Sequence, residues 1–229
     1  MRRPGWNRPG YDVSAPEAGR WDVPLRAEAP GGRMKSQLLG PIRIVDSWSP
    51  RSVTEPSPHV YLLDAGQNVS GWVSARIAGE KGRKVTLRFA EDLKEDGSLH
   101  RENLRSAQAT DVFILSGEGE DVFRPSFTFH GFRYVLVEGL AQEPDWENWK
   151  IEVVHSDVAP CGEFSCGNSL LNRIQGLCWW TECPNLMGLP TDCPQRDERL
   201  GWLNDMTVRA EEALYNFSLG GLYSKWLQD

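Results

Sequence analysis

The chain has 229 residues and a formal net charge of −7, with 40% hydrophobic and 25% charged residues. That balance suits a soluble globular protein with a sizeable core. The acidic surplus, without clustered Lys and Arg, argues against a nucleic-acid partner or an anionic membrane surface. No hydrophobic run nears the ~20 residues of a transmembrane helix. Arg2 and Arg3 at the N-terminus lack the apolar stretch of a signal peptide behind them, so the chain reads as cytoplasmic. Five cysteines form no CxxC pair and their number is odd, which supports neither a disulfide framework nor a zinc site, and no metal is expected. Ten tryptophans suit either core packing or stacking on sugar rings.

Residues 1 to about 32 are rich in Pro, Gly and Arg, and residues 1–57 together read as a linker or the remnant of an upstream β domain, with a short strand between Leu38 and Val45 interrupted at Gly40-Pro41. From residue 58 to 158 the pattern is β. Val60 and Leu62 share one face, a turn is expected at Gly66-Gln67-Asn68, and Trp72 to Ile77 continues the strand texture. Val85, Leu87 and Phe89 alternate with Lys84, Thr86 and Arg88 as in a half-buried strand. Asp111 to Leu115, Phe127 to His130, Phe132 to Val137 and Trp149 to Val154 add further strands. Many short strands joined by turn residues, without long helices between them, predict an antiparallel β-sandwich.

Residues 159–229 change character. Leu170, Leu171, Ile174, Leu177 and Cys178 follow a helical period, with Asn168 placed to cap it. A polar loop runs from Pro184 to about Asn204. A second helix is expected from Asp205, as its cap, through Phe217, to be broken by Gly220-Gly221 before a third apolar pattern at Leu222 and Trp226. Trp179 and Trp180 are adjacent and so cannot share a face. One should pack inward and the other meet the sandwich or a substrate.

The loop carries the chemistry. Between Asp192 and Asp205 stand four carboxylates, two guanidiniums and an indole. Read blandly, Asp197-Glu198-Arg199 is the charged first turn of a helix. Read functionally, the same set suits glycoside hydrolysis: a carboxylic acid to protonate the leaving oxygen, Arg and Asp to bind hydroxyls, Trp to pack on a ring face. Spacing does not decide between these readings, nor which carboxylate is the acid.

The run Asp192-Cys193-Pro194-Gln195-Arg196-Asp197-Glu198-Arg199-Leu200-Gly201-Trp202 resembles the signature of the bacterial α-L-rhamnosidases, inverting glycoside hydrolases. The segments at Asp64–Trp72, Ala90–Leu93, Asn103–Arg105 and Phe127–Tyr134 resemble the β-sandwich that precedes the catalytic domain of that family. The resemblance implies a concanavalin-like sandwich followed by the first helices of an (α/α)6 six-hairpin barrel. It implies Glu198 as general acid and Asp192, Arg196, Trp202 and Asp205 as the lining of the rhamnose subsite. Asn204 departs from the glycine common before that Asp, and Asp197 and Arg199 are expected to hold the loop by ion pairs. The substrate implied is a rhamnose-containing glycoside or oligosaccharide, cleaved without a cofactor.

An inverting enzyme needs a second carboxyl ~6.5–9.5 Å from the first, and in the resembled family that base lies far downstream. A twelve-helix barrel needs on the order of 200 residues, whereas 69 follow Pro160. The expectation is therefore an incomplete barrel with apolar helix faces exposed and no activity in the chain alone. The rival readings are a non-catalytic carbohydrate-binding sandwich, tested by binding that survives deletion of residues 160–229, and a redox or metal role for the cysteines. His130 and Arg133 are expected to secure the sandwich.

Overall fold

The computed structural model describes residues 6, 9–16 and 21–229. The chain divides into two compact units, Met1–Ser36 and Gln37–Asp229. Among its described residues the first unit has turns and backbone without regular secondary structure, with the Tyr11 and Trp21 rings edge-on at 6.1 Å.

The second unit opens with ten strands: β1 (Ile42–Trp48), β2 (Ser52–Ser57), β3 (Val60–Ala78), β4 (Lys84–Ala90), β5 (Asp92–Leu93), β6 (Leu99–His100), β7 (Thr110–Ile114), β8 (Glu120–Phe123), β9 (His130–Glu138) and β10 (Trp149–Ser156). Eight of them form one antiparallel sheet in the order β1-β10-β3-β9-β4-β7, with β2 and β8 also paired to β3. β1 and β2 thus belong to this sheet, although residues 42–57 lie in the leading stretch that composition assigns to a linker.

The 19-residue strand β3 organises the sheet. Its first half lies between β2 and β9 and its second half between β10 and β8, so it serves both layers of the curled sheet. The register against β9 shifts between Asp64 and Val69. The turn expected at Gly66-Gln67-Asn68 is therefore an irregularity within one continuous strand. Asp64 Oδ1 accepts the Gly66 N–H at 2.6 Å, which is turn chemistry used to bulge a strand rather than to end it.

The curl encloses the core. Leu63, Val69, Val73, Val85, Leu87, Phe89, Phe132, Val135 and Val137 are all fully buried in it. Each such side chain contributes about 1.5–3 kcal/mol by leaving water. The alternation Val85, Leu87, Phe89 emerges as β4 in the expected phase. Phe127 to His130 does not form a strand: β9 begins only at His130, and Phe127 sits at φ 62.

Four helices follow. α1 (Ser169–Glu182) starts where expected, with Asn168 Oδ1 accepting the Leu170 N–H at 2.9 Å. Its apolar residues do not all find a core: Leu170, Leu171, Ile174 and Leu177 are 45–62% exposed. Trp179 packs inward on the Phe217 ring at 4.1 Å, while Trp180 meets Trp48 of β1 edge-on at 6.3 Å. The adjacent indoles split between helical core and sandwich.

The expected second helix is two short ones, α2 (Leu203–Thr207) and α3 (Ala210–Asn216), and Trp202 rather than Asp205 stands at the start of α2. Gly220-Gly221 do not break a helix; they open α4 (Gly220–Trp226). The break falls earlier, at Phe217, whose extended backbone bridges Pro160 while its ring is buried. The Ser218 N–H donates to Ala159 O and the Cys161 N–H to Asn216 O, so pairing with the inter-domain segment outcompetes helix continuation there. Cys183, Leu186, Met206, Ala213, Phe217, Leu219 and Leu222 make a second, smaller core. No helix among the described residues is long and apolar enough to cross a membrane.

Candidate active site

The segment from Pro190 to Trp202 is irregular, so Asp197-Glu198-Arg199 is not the first turn of a helix. Its shape comes from a local closure. The Asp192 N–H donates to Leu200 O at 3.0 Å, and Asp192 Oδ1 accepts the Leu200 N–H at 2.7 Å. At the base of the loop the Thr191 N–H donates to Asn185 O at 2.7 Å.

The sandwich holds the loop from the other side. Arg199, with φ 50, lays its guanidinium over the Phe129 ring at 4.0 Å and donates from Nη2 to Phe129 O at 3.0 Å. Left-handed backbone in a side-chain-bearing residue carries strain that such contacts hold in place. Ser106 donates to Asp197. The loop also lies directly on β9: a Cβ at Gly131 would come within 2.9 Å of Pro194 and of Gln195 N, so only glycine fits there. Asp197 and Arg199 therefore do hold the loop, but through a hydroxyl, a carbonyl and a ring face rather than the expected ion pairs.

Inside this frame four of the five anticipated residues come together. Arg196 Nη2 lies 3.1 Å from Asp192 Oδ2 and 2.9 Å from Glu198 Oε2, bridging the two carboxylates. Glu198 Oε1 accepts from Trp202 Nε1 at 3.0 Å, and its Oε2 meets Arg105 Nη1 of the sandwich at 2.8 Å. Such charge-assisted contacts fix orientation as well as charge. The Asp192 side chain is 3% exposed and that of Glu198 19%, so the first is a buried anchor and the second reaches the surface. Asp205 lies exposed on α2, and among the described residues no hydrogen bond or ion pair joins it to the other four.

Burial by itself would raise the Asp192 carboxyl, but the Leu200 N–H, the Cys193 thiol and Arg196 outweigh it and hold the group below the usual range. Glu91, at the end of β4, behaves oppositely. Burial pushes its carboxyl up, against the Asn68 amide that donates to it at 2.9 Å and against Arg196. Donor atoms of Asp192, Cys193 and Glu198 lie within 4.8 Å of one another, with Arg196 bridging the two carboxylates. The two carboxyls are thus closer than the ~6.5–9.5 Å that lets a water stand between acid and base in an inverting site. With one oxygen on a backbone N–H and the other on a guanidinium, Asp192 is suited to positioning rather than to activating water.

Arg105 and Ser106 were not among the anticipated site residues, although Arg105 closes the Asn103-Leu104-Arg105 motif. Leu104, 1% exposed, anchors the short 3₁₀ turn Glu102–Leu104, and Arg105 follows it at φ 55.

Both segments of the chain resemble known proteins. The model of the bacterial alpha-L-rhamnosidase concanavalin-like domain matches residues 54–155, and that of the bacterial alpha-L-rhamnosidase 6 hairpin glycosidase domain matches residues 159–229. The chain is 42% identical over 228 residues to an alpha-L-rhamnosidase of Streptomyces avermitilis, covering 98% of this chain and 22% of that one. It is 35% identical over 226 residues to an alpha-L-rhamnosidase of an Alteromonas species, covering 97% and 24%. An alpha-L-rhamnosidase structure from Dictyoglumus thermophilum superposes with a TM-score of 0.90 at 43% identity, over 99% of this chain and 25% of that one. The Streptomyces avermitilis alpha-L-rhamnosidase complexed with L-rhamnose gives 0.82 at 43% identity, over 85% and 19%. The chain spans roughly a quarter of the length of the relatives it matches. Its two matched segments, in the order and fold of these proteins, make the chain a member of the bacterial α-L-rhamnosidase family.

Proposed function

We propose that the chain supplies the acid-bearing part of an enzyme that removes terminal α-L-rhamnose from rhamnosides with inversion. Glu198 is the general acid. Its carboxyl reaches the surface while Arg196, Arg105 and Trp202 fix its direction, and this is the observation that carries the reading. A positioned acid that hands a proton to the departing oxygen contributes about 10²–10⁴-fold to such a reaction. Arg196, held by the buried Asp192, binds rhamnose hydroxyls, Trp202 meets a ring face, and Asp205, in the first turn of α2, completes the subsite from the solvent side. The crystal complex of the Streptomyces avermitilis relative with L-rhamnose supports the choice of sugar.

The general base is not among these residues, since Asp192 stands too close to Glu198 and both of its oxygens are occupied. The chain alone therefore does not turn over. The acidic net charge, without clustered Lys and Arg, argues against nucleic-acid and anionic-membrane partners. Incubation of the purified chain with an aryl α-L-rhamnoside tests the reading: no phenol release is expected. Turnover that Glu198→Gln abolishes would show that a base is present after all.

A further inference from the structure

Among the described residues, every hydrogen bond and ion pair of the Glu198 carboxyl comes from a donor. Its Oε2 takes Arg196 Nη2 at 2.9 Å, Arg196 Nε at 3.1 Å and Arg105 Nη1 at 2.8 Å. Its Oε1 takes the Trp202 indole at 3.0 Å. Guanidinium and indole N–H groups donate and cannot accept. Such surroundings suit a carboxylate and leave no place for a carboxyl proton or for a glycosidic oxygen. A general acid needs both, so one donor has to leave before the acid can work.

The two guanidiniums are not held equally. Arg196 also meets Asp192, whose side chain is 3% exposed and tied to the Leu200 N–H. The Arg105 side chain is 57% exposed, and Glu198 is its one ion-pair partner among the described residues. A second anion stands beside it. Ser106 follows Arg105 as Asp197 precedes Glu198, and the Ser106 hydroxyl donates to Asp197. That hydrogen bond, with the charge of Arg105 assisting, holds the exposed Asp197 carboxyl below its usual range. Arg105 itself sits at φ 55 and ψ −120, backbone that favours glycine. Strain kept at such a residue marks a functional position rather than a packing one.

We propose that Arg105 is an autoinhibitory latch on the acid: it covers Glu198 in the unliganded chain and turns to Asp197 when a glycosidic oxygen comes in. It is a positioning residue, and the inference rests on Glu198 as proton donor. As the latch opens, the Arg105–Glu198 ion pair breaks, one proton passes from water to the carboxylate, and Arg105 pairs with Asp197. Arg196 then stands alone between two carboxylates, an arrangement that accommodates one proton. Asp192 does not take it, being buried yet kept below its usual range by the Leu200 N–H, the Cys193 thiol and Arg196. The other charged groups nearby are already engaged: Arg199 donates to Phe129 O, and Glu91 accepts from Asn68. Arg196 and Trp202 keep the direction of the acid while Arg105 moves.

Titration of the full chain with methyl α-L-rhamnoside and with an anhydro analogue of rhamnose that lacks the glycosidic oxygen, followed by NMR, tests the latch. Arg105→Gln should bind the methyl glycoside about two- to fivefold more tightly than the parent, because an exposed ion pair no longer has to break. The analogue should bind both alike. Arg105→Lys keeps the charge and should restore the parent affinity. Asp197→Asn removes the second anion, still accepts from Ser106, and should weaken the glycoside by a similar factor without affecting the analogue. It changes an exposed side chain and so keeps the test intact if Arg105→Gln fails to fold. Weaker binding of the glycoside by Arg105→Gln, or an equal change for both sugars, overturns the latch, as does parent affinity in Asp197→Asn. A chain that binds neither sugar strikes instead at the proposed function, and the latch falls with it.

Discussion

The sandwich and the helical segment treat their apolar residues in opposite ways. In the sheet, Val85, Leu87 and Phe89 of β4 face Phe132, Val135 and Val137 of β9 with none of them exposed. In α1, Leu170, Leu171, Ile174 and Leu177 repeat at helical spacing and stay about half exposed. A curled sheet folds its own inner faces together and needs no other element. A helix has one apolar stripe and depends on a neighbour to cover it. The inner face of α1 is patterned for a packing partner that the described residues do not provide.

That contrast can be broken by measurement. Phe132→Ala should destabilise the chain most, by about 3–5 kcal/mol in urea unfolding, because it opens a cavity in a closed core. Next comes Asp64→Asn, which removes the bidentate contact to Arg133 at 2.8 and 2.9 Å and should cost about 1–2 kcal/mol, tempered by solvent at the guanidinium. The Arg133 hydrogen bonds hold the Asp64 carboxyl below its usual range, with burial opposing and the Gly66 N–H assisting. A depressed carboxylate stabilises fully above its unfolded value of about 3.9, and the contribution is lost as pH falls through the lower folded value. The gap between parent and Asp64→Asn should accordingly be wide at neutral pH and close in strong acid; a gap that widens in acid reverses the argument.

Smaller effects belong to the helices. Asn168→Ala removes the cap of α1 and should cost about 1 kcal/mol, seen as faster hydrogen exchange in the first turns of that helix. Ile174→Ala should change stability by no more than about 0.5 kcal/mol, as at a surface position. Were it to cost as much as Phe132→Ala, the face of α1 would be buried in solution and the contrast would collapse.

Strand alternation made β4 and most of β9 readable, because half-buried strands carry their period in the side chains. The continuity of β3 was not readable, since Gly66-Gln67-Asn68 offers the same local chemistry to a turn and to a bulge. Only pairing with β9 on both sides of the shift decides for the bulge. The stop at Phe217, ahead of Gly220-Gly221, escaped for a related reason: it follows from Phe217 pairing with Pro160, a long-range contact that helical spacing does not register. At the site, Asp192, Arg196, Glu198 and Trp202 are packed into one short segment and were visible together. The contribution of Arg105 and Ser106 was not, because Ser106 and Asp197 are 91 positions apart and meet only through the fold.

The grip of residues 105 and 106 on the acid loop bears on how such proteins can be recombined. Sandwich and helical segment are recognised as separate pieces along the sequence, yet a polypeptide beginning at residue 159 would carry Glu198 without the guanidinium and hydroxyl that brace it. Grafting the acid-bearing piece onto a foreign partner would therefore transplant the carboxylate but not its aim, and exchange between family members should succeed only when both pieces travel together.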